Sequence, residues 1–190
     1  ATAVSRAYAS GADSFAAAIA NNTSSYGATG ANSIAMGYLA KASSSNTFAV
    51  SLNSQATGLN SIAIGNSAFA TTNAIALRGD ATATNSVAIG NGSVASGAES
   101  ICISNGSSNA GTASGTRSIL IGNKNTSSGD YSVAIGFGAT ASNFGKYCFA
   151  SGWLGAQGDA QTGTMVLRSD TTDATPEALT TNNSTAGTTN

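Results

Sequence analysis

The side chains that carry out acid–base and nucleophilic chemistry are few in this sequence, and their spacing matches no catalytic arrangement. Histidine is absent from the 190 residues, so there is no Ser–His or Cys–His pair and the commonest metal ligand is missing. The carboxylates are Asp13, Asp80, Glu99, Asp130, Asp159, Asp170, Asp173 and Glu177. A glycan-cleaving site needs two such groups about 5 to 10 Å apart, whereas these residues are better explained as solvated turn positions. We therefore predict that the chain is not an enzyme and has no catalytic, cofactor or metal site.

The two cysteines also fail to form a chemical motif. Cys102 lies in "SICIS", where the related stretches of the chain carry Ala, and Cys148 lies in "KYCFASG". Two thiols permit one disulfide and provide no metal-ligand spacing. We predict that both are small buried thiols standing in place of Ala.

Charge is scarce, and this limits the classes of partner. Seven basic and eight acidic side chains make up 8% of the residues and leave a net charge of -1, against about 25% charged residues in a typical soluble domain. Clustered Lys and Arg, which nucleic acid and anionic membranes require, are missing. The longest apolar cluster, "SFAAAIA", is too short to span a bilayer. We predict no nucleic-acid partner and no membrane insertion in this segment.

A repeated unit organises most of the chain. The chain contains eight copies, and each copy begins with a short cluster of apolar residues. Examples are "NSIAMG", "NSIAIG", "NSVAIG" and "YSVAIG". The first large apolar residues of these clusters are separated by 14, 14, 13, 12, 14, 18 and 14 residues. The period is therefore 14 residues, with short deletions and one insertion around "NGSSNAGTASGT".

Within each unit, large and small residues alternate, and this alternation indicates a β-strand. A second, weaker strand follows, as in "SVASG" and "GATAS". Two short strands and two turns in about 14 residues form one coil of a narrow β-solenoid. Because large apolar residues are usually buried, we expect the large pairs to stack into a continuous core column. The residues expected in this solenoid or trimer core are Ile34, Met36, Ile62, Ile64, Ile75, Val87, Ile89, Ile101, Ile103, Ile119, Ile121, Val133 and Ile135.

The small residue between each large pair points to the opposite face of the strand. Ala88, between Val87 and Ile89, is an example. A solvated strand face usually carries Lys, Glu or Thr, whereas a row of Ala permits close approach of another chain. We expect this Ala face to pack against further copies of the solenoid.

The stretches "NSIAIGNSAFA", "NSVAIGNGSVASG" and "YSVAIGFGATAS" resemble the head repeats of YadA-type trimeric adhesins, over residues 31–145. Residues 1–30 contain a looser copy. The resemblance implies an all-β fold, a left-handed parallel β-roll of about 14-residue coils, assembled as a homotrimer.

The segment after the repeats is similar to structural proteins of bacteriophage tail fibres. The similarity rests on "GDAQTG", "TMVLRSDTTD" and "ATPEALTT" within residues 146–182, which we interpret as a cap and β segment. Residues 183–190 are interpreted as a linker to further sequence. No heptad pattern of a coiled-coil stalk is present.

Aromatic side chains cluster at the end of the repeats. These are Phe144, Tyr147, Phe149 and Trp153. A solenoid must cover its open end, whereas exposed aromatic rings are common contact points for sugars and proteins. A cap is favoured, and receptor contact is the alternative.

The sequence favours two functions and disfavours two others. The first is a structural segment of a phage tail fibre or other virion appendage that binds a glycan or protein receptor on a host cell. The second is the head of a trimeric autotransporter adhesin on the bacterial outer-membrane surface. An ice-binding solenoid would need a Thr at one position of every coil, but the Thr-containing stretch "ATAT" at residues 81–84 occurs once. An enzyme is disfavoured by the scarcity of catalytic residues.

Overall fold

A parallel β-solenoid forms the body of this chain. The computed structural model describes residues 8–17, 25–106, 110–169, 174 and 178–181, and these residues contain strands and turns and no helix. About nine coils follow one another at intervals of about 14 residues. The predicted all-β solenoid is therefore confirmed; the linker predicted for residues 183–190 lies outside the described residues.

Each coil contributes one longer and one shorter strand. The longer strands are β1 (Phe15–Ala17), β3 (Ile34–Met36), β5 (Phe48–Val50), β7 (Ile62–Ile64), β9 (Ile75–Leu77), β11 (Val87–Ile89), β13 (Ile101–Ile103), β15 (Ile119–Asn123), β17 (Val133–Phe137) and β19 (Tyr147–Ser151). The shorter strands are β2 (Gly27–Ala28), β4 (Lys41–Ala42), β6 (Gln55–Ala56), β8 (Phe69–Ala70), β10 (Asp80–Ala81), β12 (Val94–Ala95), β14 (Thr112–Ala113), β16 (Thr126–Ser127) and β18 (Thr140–Ala141). One further strand, β20 (Gln161–Thr164), follows the last coil.

These strands form two sheets that run the length of the solenoid. The long-strand sheet contains β1 to β19 in odd-numbered order and ends with β20; the short-strand sheet contains β2 to β18 in even-numbered order. Neighbouring coils pair in parallel, and only β19 and β20 pair antiparallel among the named strands. The register aligns Val87 with Ile75 and Ile101, as the repeat predicted. Deletions and the insertion therefore fall in turns and leave the ladder intact.

The turn before each longer strand explains the "N-S" start of the repeat. The Asn backbone is left-handed, with φ of 53° at Asn32 and 58° at Asn85, a conformation that Asn adopts more readily than most residues. The next residue, Ser, points into the coil and closes the turn, as the Ser86 hydroxyl donates to the carbonyl of Ala83 at 2.7 Å. The Gly that ends the unit is required for its backbone conformation. Gly90 has a φ of 106°, which a residue with a Cβ adopts only at a steric cost.

The orientation of the longer strands reverses our expectation about the core. Ala88 and its equivalents in the other coils are fully buried, and they face the buried Ala of the shorter strands inside the coil. The large residues on either side point outward, where Ile64, Ile103 and Ile121 remain 37%, 39% and 41% exposed. The predictions that the large pairs form the solenoid interior and that the Ala row faces other chains are therefore wrong. The outward residues are Ile34, Met36, Ile62, Ile64, Ile75, Val87, Ile89, Ile101, Ile103, Ile119, Ile121, Val133 and Ile135.

The physical reason is the narrowness of the coil. Two strands joined by tight turns leave a gap that Ala and Ser side chains already fill, so a row of Ile or Val has no room between the sheets. Leu120 is the exception, because it is fully buried in the position that Ala88 and Ala134 occupy in other coils. Gly111 opens the space for it, since a Cβ at residue 111 would overlap the Leu120 side chain.

This pair predicts a coupled effect on stability. Leu120→Ala is expected to lower the free energy of unfolding by about 2–5 kcal/mol, because it removes a buried side chain and leaves a cavity. Gly111→Ala should destabilise the native protein through overlap with Leu120 but be better tolerated in the Leu120→Ala background. Denaturant unfolding of the two single variants and the double variant checks this. Strictly additive losses would contradict the proposed fit between these residues.

Candidate interaction surface

The outer face of the long-strand sheet carries large apolar side chains that are partly exposed. It carries two parallel rows of side chains, one from the first and one from the third residue of each longer strand. In β11, for example, Val87 and Ile89 point outward while Ala88 points inward. Neighbouring strands in a sheet lie about 4.8 Å apart, so both rows are continuous. We call this surface the apolar face.

A shallow groove follows the apolar face across its central coils. Its volume is about 880 Å³. Its walls come from Ile64, Leu77, Ile89, Ile103 and Ile121, together with Arg78 and the Gly, Asn and Ser residues of the turns. Exposed apolar surfaces of this continuity mark sites of association. The groove has the shape and composition to receive apolar side chains of another sheet or chain.

A ladder of polar side chains runs along the turns next to the apolar face. The side-chain amide of Asn32 donates to Asn46 at 3.1 Å, and Asn46 donates to Asn60 at 2.9 Å. Asn60 in turn donates to Asn73 at 3.1 Å. The Asn carbonyl oxygen of each coil therefore accepts a hydrogen bond from the Asn amide of the preceding coil, and these bonds help to fix the register between coils.

Further along the same turn position, Asn is replaced by Glu99, Arg117 and Tyr131. The Arg117 guanidinium donates to both carboxylate oxygens of Glu99, at 2.7 and 3.2 Å, and also to the Tyr131 hydroxyl. Hydrogen bonds with Glu99 and then Tyr131 raise the pKa of Arg117. Tyr131 also packs against Phe144, with ring centroids 5.2 Å apart. This exposed cluster continues the ladder with charged and aromatic groups, and sequence reasoning did not identify it.

The aromatic residues named from the sequence lie in three different places. Tyr147 and Phe149 belong to β19 and align with Val133 and Ile135, so they extend the apolar face by one coil. Phe144 packs on Tyr131 in the ladder. Trp153 stacks on Phe137 at 5.0 Å.

Trp153 covers a turn of the preceding coil. A Cβ at Gly138 would overlap the indole ring, so the absence of a side chain there permits the contact. The Lys124 ammonium lies 5.8 Å from the Phe137 ring centroid and 5.4 Å from that of Trp153. This arrangement anchors the chain as it leaves the last coil. A receptor contact at these rings remains a prediction.

The backbone groups at the end of the solenoid are covered by Gln161 and β20, which lie within residues 146–182 and outside the aromatic cluster named from the sequence. Strand β20 pairs with β19 and covers the last long strand. For the short-strand sheet, the Gln161 carboxamide acts as the missing peptide group: it accepts from the Thr140 amide at 2.7 Å and donates to the Thr140 carbonyl at 3.0 Å. The stretch "GDAQTG" thus supplies both caps.

Gln161→Ala is expected to loosen the last coil. Loss of two hydrogen bonds at a partly buried strand edge should cost about 1–3 kcal/mol. Amide hydrogen exchange at Thr140 should therefore accelerate by about tenfold or more. Gln157→Ala is the matched control, because Gln157 makes one exposed hydrogen bond to the Thr126 hydroxyl. Equal protection of Thr140 in both variants would contradict the capping role.

Asp159 holds the loop that leads to the cap. Its carboxylate accepts hydrogen bonds from the backbone amides of Leu154, Gly155 and Ala156, at 3.0, 2.6 and 2.8 Å. These bonds, led by that of Ala156, lower the pKa of Asp159. A depressed pKa means that this stabilisation is present at neutral pH and is lost as the pH falls through the depressed value.

The remaining reactive side chains have structural roles. Cys102 and Cys148 are free and buried, as predicted, and burial raises the pKa of Cys102 to about 11 and that of Cys148 in the same direction. Burial also raises the pKa of Asp80, which lies in β10. Asn125, which lies in the triplet "NTS", is 2% exposed. Its side-chain amide donates to the carbonyls of Ile121 and Gly136, and its side-chain oxygen accepts from the Ala139 amide.

Within the described residues, no group of three or more His, Cys, Asp or Glu side chains lies close enough together to hold a metal ion. The same residues include no helix with the length and apolar character needed to cross a membrane.

Comparison with known proteins agrees with the geometry. No curated protein matches the chain. The family model of the YadA head domain repeat matches residues 28–50, 56–77, 81–101 and 113–139, about half of the chain. These segments coincide with the coils from β2 to β17 and leave out the insertion. Over these four segments, the solenoid of this chain is similar to the YadA head repeat.

Proposed function

We propose that this chain is a segment of a homotrimeric fibre, carried on a phage tail or a similar virion appendage, that provides rigid reach and host attachment. The observation that carries the proposal is the apolar face. The interior of each coil is already filled by Ala and Ser, so the half-exposed Ile and Val rows have no role in closing the chain on itself. Three copies that share these rows would remove them from water.

The architecture suits a rigid spacer. Backbone hydrogen bonds link every coil to the next along both sheets. With about nine coils and about 4.8 Å per strand spacing, the solenoid extends for roughly 40 Å. Stiffness here comes from the backbone ladder and the Asn ladder, which explains why so few chemically active side chains are needed. The proposal includes no catalysis and no cofactor.

Attachment is the second part of the proposal. Heads built from YadA-type repeats are typically trimeric and bind host surfaces, and we extend both properties to this chain. The receptor would be a glycan or protein on the host cell. Three chains per fibre and several fibres per particle would convert weak single contacts into firm attachment.

The head of a bacterial trimeric autotransporter adhesin is the second candidate, and the match to YadA head repeats is consistent with both assignments. Immunogold electron microscopy with antibody raised against this chain distinguishes the two. Label along thin fibres of virus particles is the expected result and places the protein in the virion. Label on the envelopes of bacteria would overturn the viral assignment and place the protein on the outer-membrane surface.

A further inference from the structure

A lysine replaces a small hydroxyl residue in the last coil of the solenoid. Ser132 occupies the inward position before β17, as Ser86, Ser100 and Ser118 do before other long strands. Lys146 takes that position before β19, because the Val133 amide donates to the Lys146 carbonyl just as the Ile119 amide donates to that of Ser132. A long cationic side chain therefore enters the end of the solenoid, where other coils place a small neutral one.

Most of the Lys146 side chain is buried. The residue is only 7% exposed. Among the described residues, its ammonium has neither a hydrogen-bond nor an ion-pair partner. In the part of the chain that the structure describes, Ser118 Oγ is the one fully buried side-chain polar atom without a partner, so the Lys146 ammonium itself keeps access to solvent beside the largely buried side chain.

A small cavity lies beside this lysine. Its volume is about 180 Å³, room for about six water molecules at their liquid volume. The lining residues are Thr140, Ser142, Lys146, Gln157, Gly158 and Gln161. The lining offers hydroxyl, amide and ammonium donors and no carboxylate, so its chemistry favours an anion.

The cavity is also held in shape. Its roof includes Gln161, which is fixed by two hydrogen bonds to the Thr140 backbone, and Gln157, which is fixed to the Thr126 hydroxyl. Gly158 has a φ of 90°, and a Cβ there would touch the Thr140 side chain. The donors therefore need little rearrangement to receive a ligand.

We propose that this cavity, the Lys146 site, binds a small oxyanion of the carboxylate or phosphate type. Lys146 supplies the charge, and the hydroxyl and amide groups supply hydrogen bonds to the oxygen atoms. The ligand is either free phosphate or the acidic group of a sugar at a host surface. The proposal does not depend on the trimer.

The test uses the full chain with isotope-labelled lysine side chains. The sequence contains three lysines, Lys41, Lys124 and Lys146, so Lys41→Met and Lys124→Met assign the spectrum and leave the third signal to Lys146. We expect titration with inorganic phosphate or glucuronate, and not with glucose, to shift the Lys146 signal in a saturable manner. Tighter binding of glucuronate identifies an acidic sugar as the ligand, and tighter binding of phosphate identifies the free ion.

Lys146→Met should weaken anion binding at least tenfold, whereas Lys41→Met should leave it unchanged. No saturable shift of the Lys146 signal with either anion would overturn the proposal, and this measurement does not require the Lys146 variant to fold. Equal binding by Lys146→Met and the native chain would also overturn it. A third variant replaces three carboxylates of the chain: Asp170→Asn, Asp173→Asn and Glu177→Gln. If anion binding appears only in this variant, the chain's own carboxylates occupy the site, and the proposal of an external ligand is overturned.

Discussion

Ile103→Glu is expected to convert the assembled protein into single folded chains. Ile103 lies in the groove of the apolar face and is 39% exposed in the isolated chain. At a trimer interface, each of three carboxylates would lose its water without gaining a partner, at a cost of about 3 kcal/mol or more per chain. The coil itself should remain intact, because the side chain does not enter the interior. Sedimentation velocity measures the change in mass and circular dichroism the retained β structure.

Thr112→Glu is the matched control for this experiment. Thr112 lies in β14, on the outward side of the short-strand sheet, and follows Ile103 in the chain. The variant adds the same charge on the opposite sheet and should leave the assembly unchanged. Dissociation by Thr112→Glu together with assembly of Ile103→Glu would mean that the chains associate through the short-strand sheet instead.

Ala88→Leu is expected to disrupt the solenoid itself. Ala88 is fully buried, and its neighbours along the same column are Ala76 and Cys102. Three extra carbon atoms would have to enter a gap that is already filled. Overpacking of a tight core costs about 1–3 kcal/mol or more, and here it would also strain the pairing of adjacent coils. Thermal unfolding of the variant should begin at a markedly lower temperature.

Val87→Leu provides the comparison, since it places the same side chain one residue earlier. Val87 points outward from β11, so its replacement adds volume on the apolar face and leaves the interior unchanged. We expect the isolated coil to tolerate it. If Val87→Leu destabilised the chain more than Ala88→Leu, the inward and outward faces of the longer strands would be assigned the wrong way round.

Sequence periodicity was sufficient to predict the coil, the register and the position of the insertion. The 14-residue spacing placed Ile34, Ile62 and Ile119 in one row. In the sheet, Ile34 and Ile62 both pair with Phe48, and Ile119 pairs with Ile101 in the same row. The reason is that parallel stacking requires each coil to repeat the conformation of the last. A repeat visible in the residues is therefore a repeat in the backbone.

The same periodicity could not decide which face of the strand is inside. Alternation separates Val87 and Ile89 from Ala88, but it assigns neither set to the core. Our expectation followed the usual burial of large residues, which fails in a coil too narrow to hold them. The small residue that ends every shorter strand, Ala in all of them except β16, where it is Ser127, was the available indication, since both facing strands must present small residues when their separation is small.

The end of the solenoid was the least predictable part. The aromatic cluster was predicted to cap the solenoid, whereas the open strand edges are covered by Gln161 and β20. A glutamine in "GDAQTG" has no distinguishing pattern in one sequence. Its role depends on a chain reversal after Trp153 that brings it back to Thr140. The inward position of Lys146 was likewise not predictable from the sequence, because it becomes apparent only from the coil geometry.

The central claim is that the apolar face exists to join three copies of this chain. Light scattering coupled to size-exclusion chromatography of the full chain tests it most directly. The account predicts a single species with three times the chain mass of 18.4 kDa, at concentrations down to the micromolar range. A stable, folded monomer with the Ile rows open to water would contradict it.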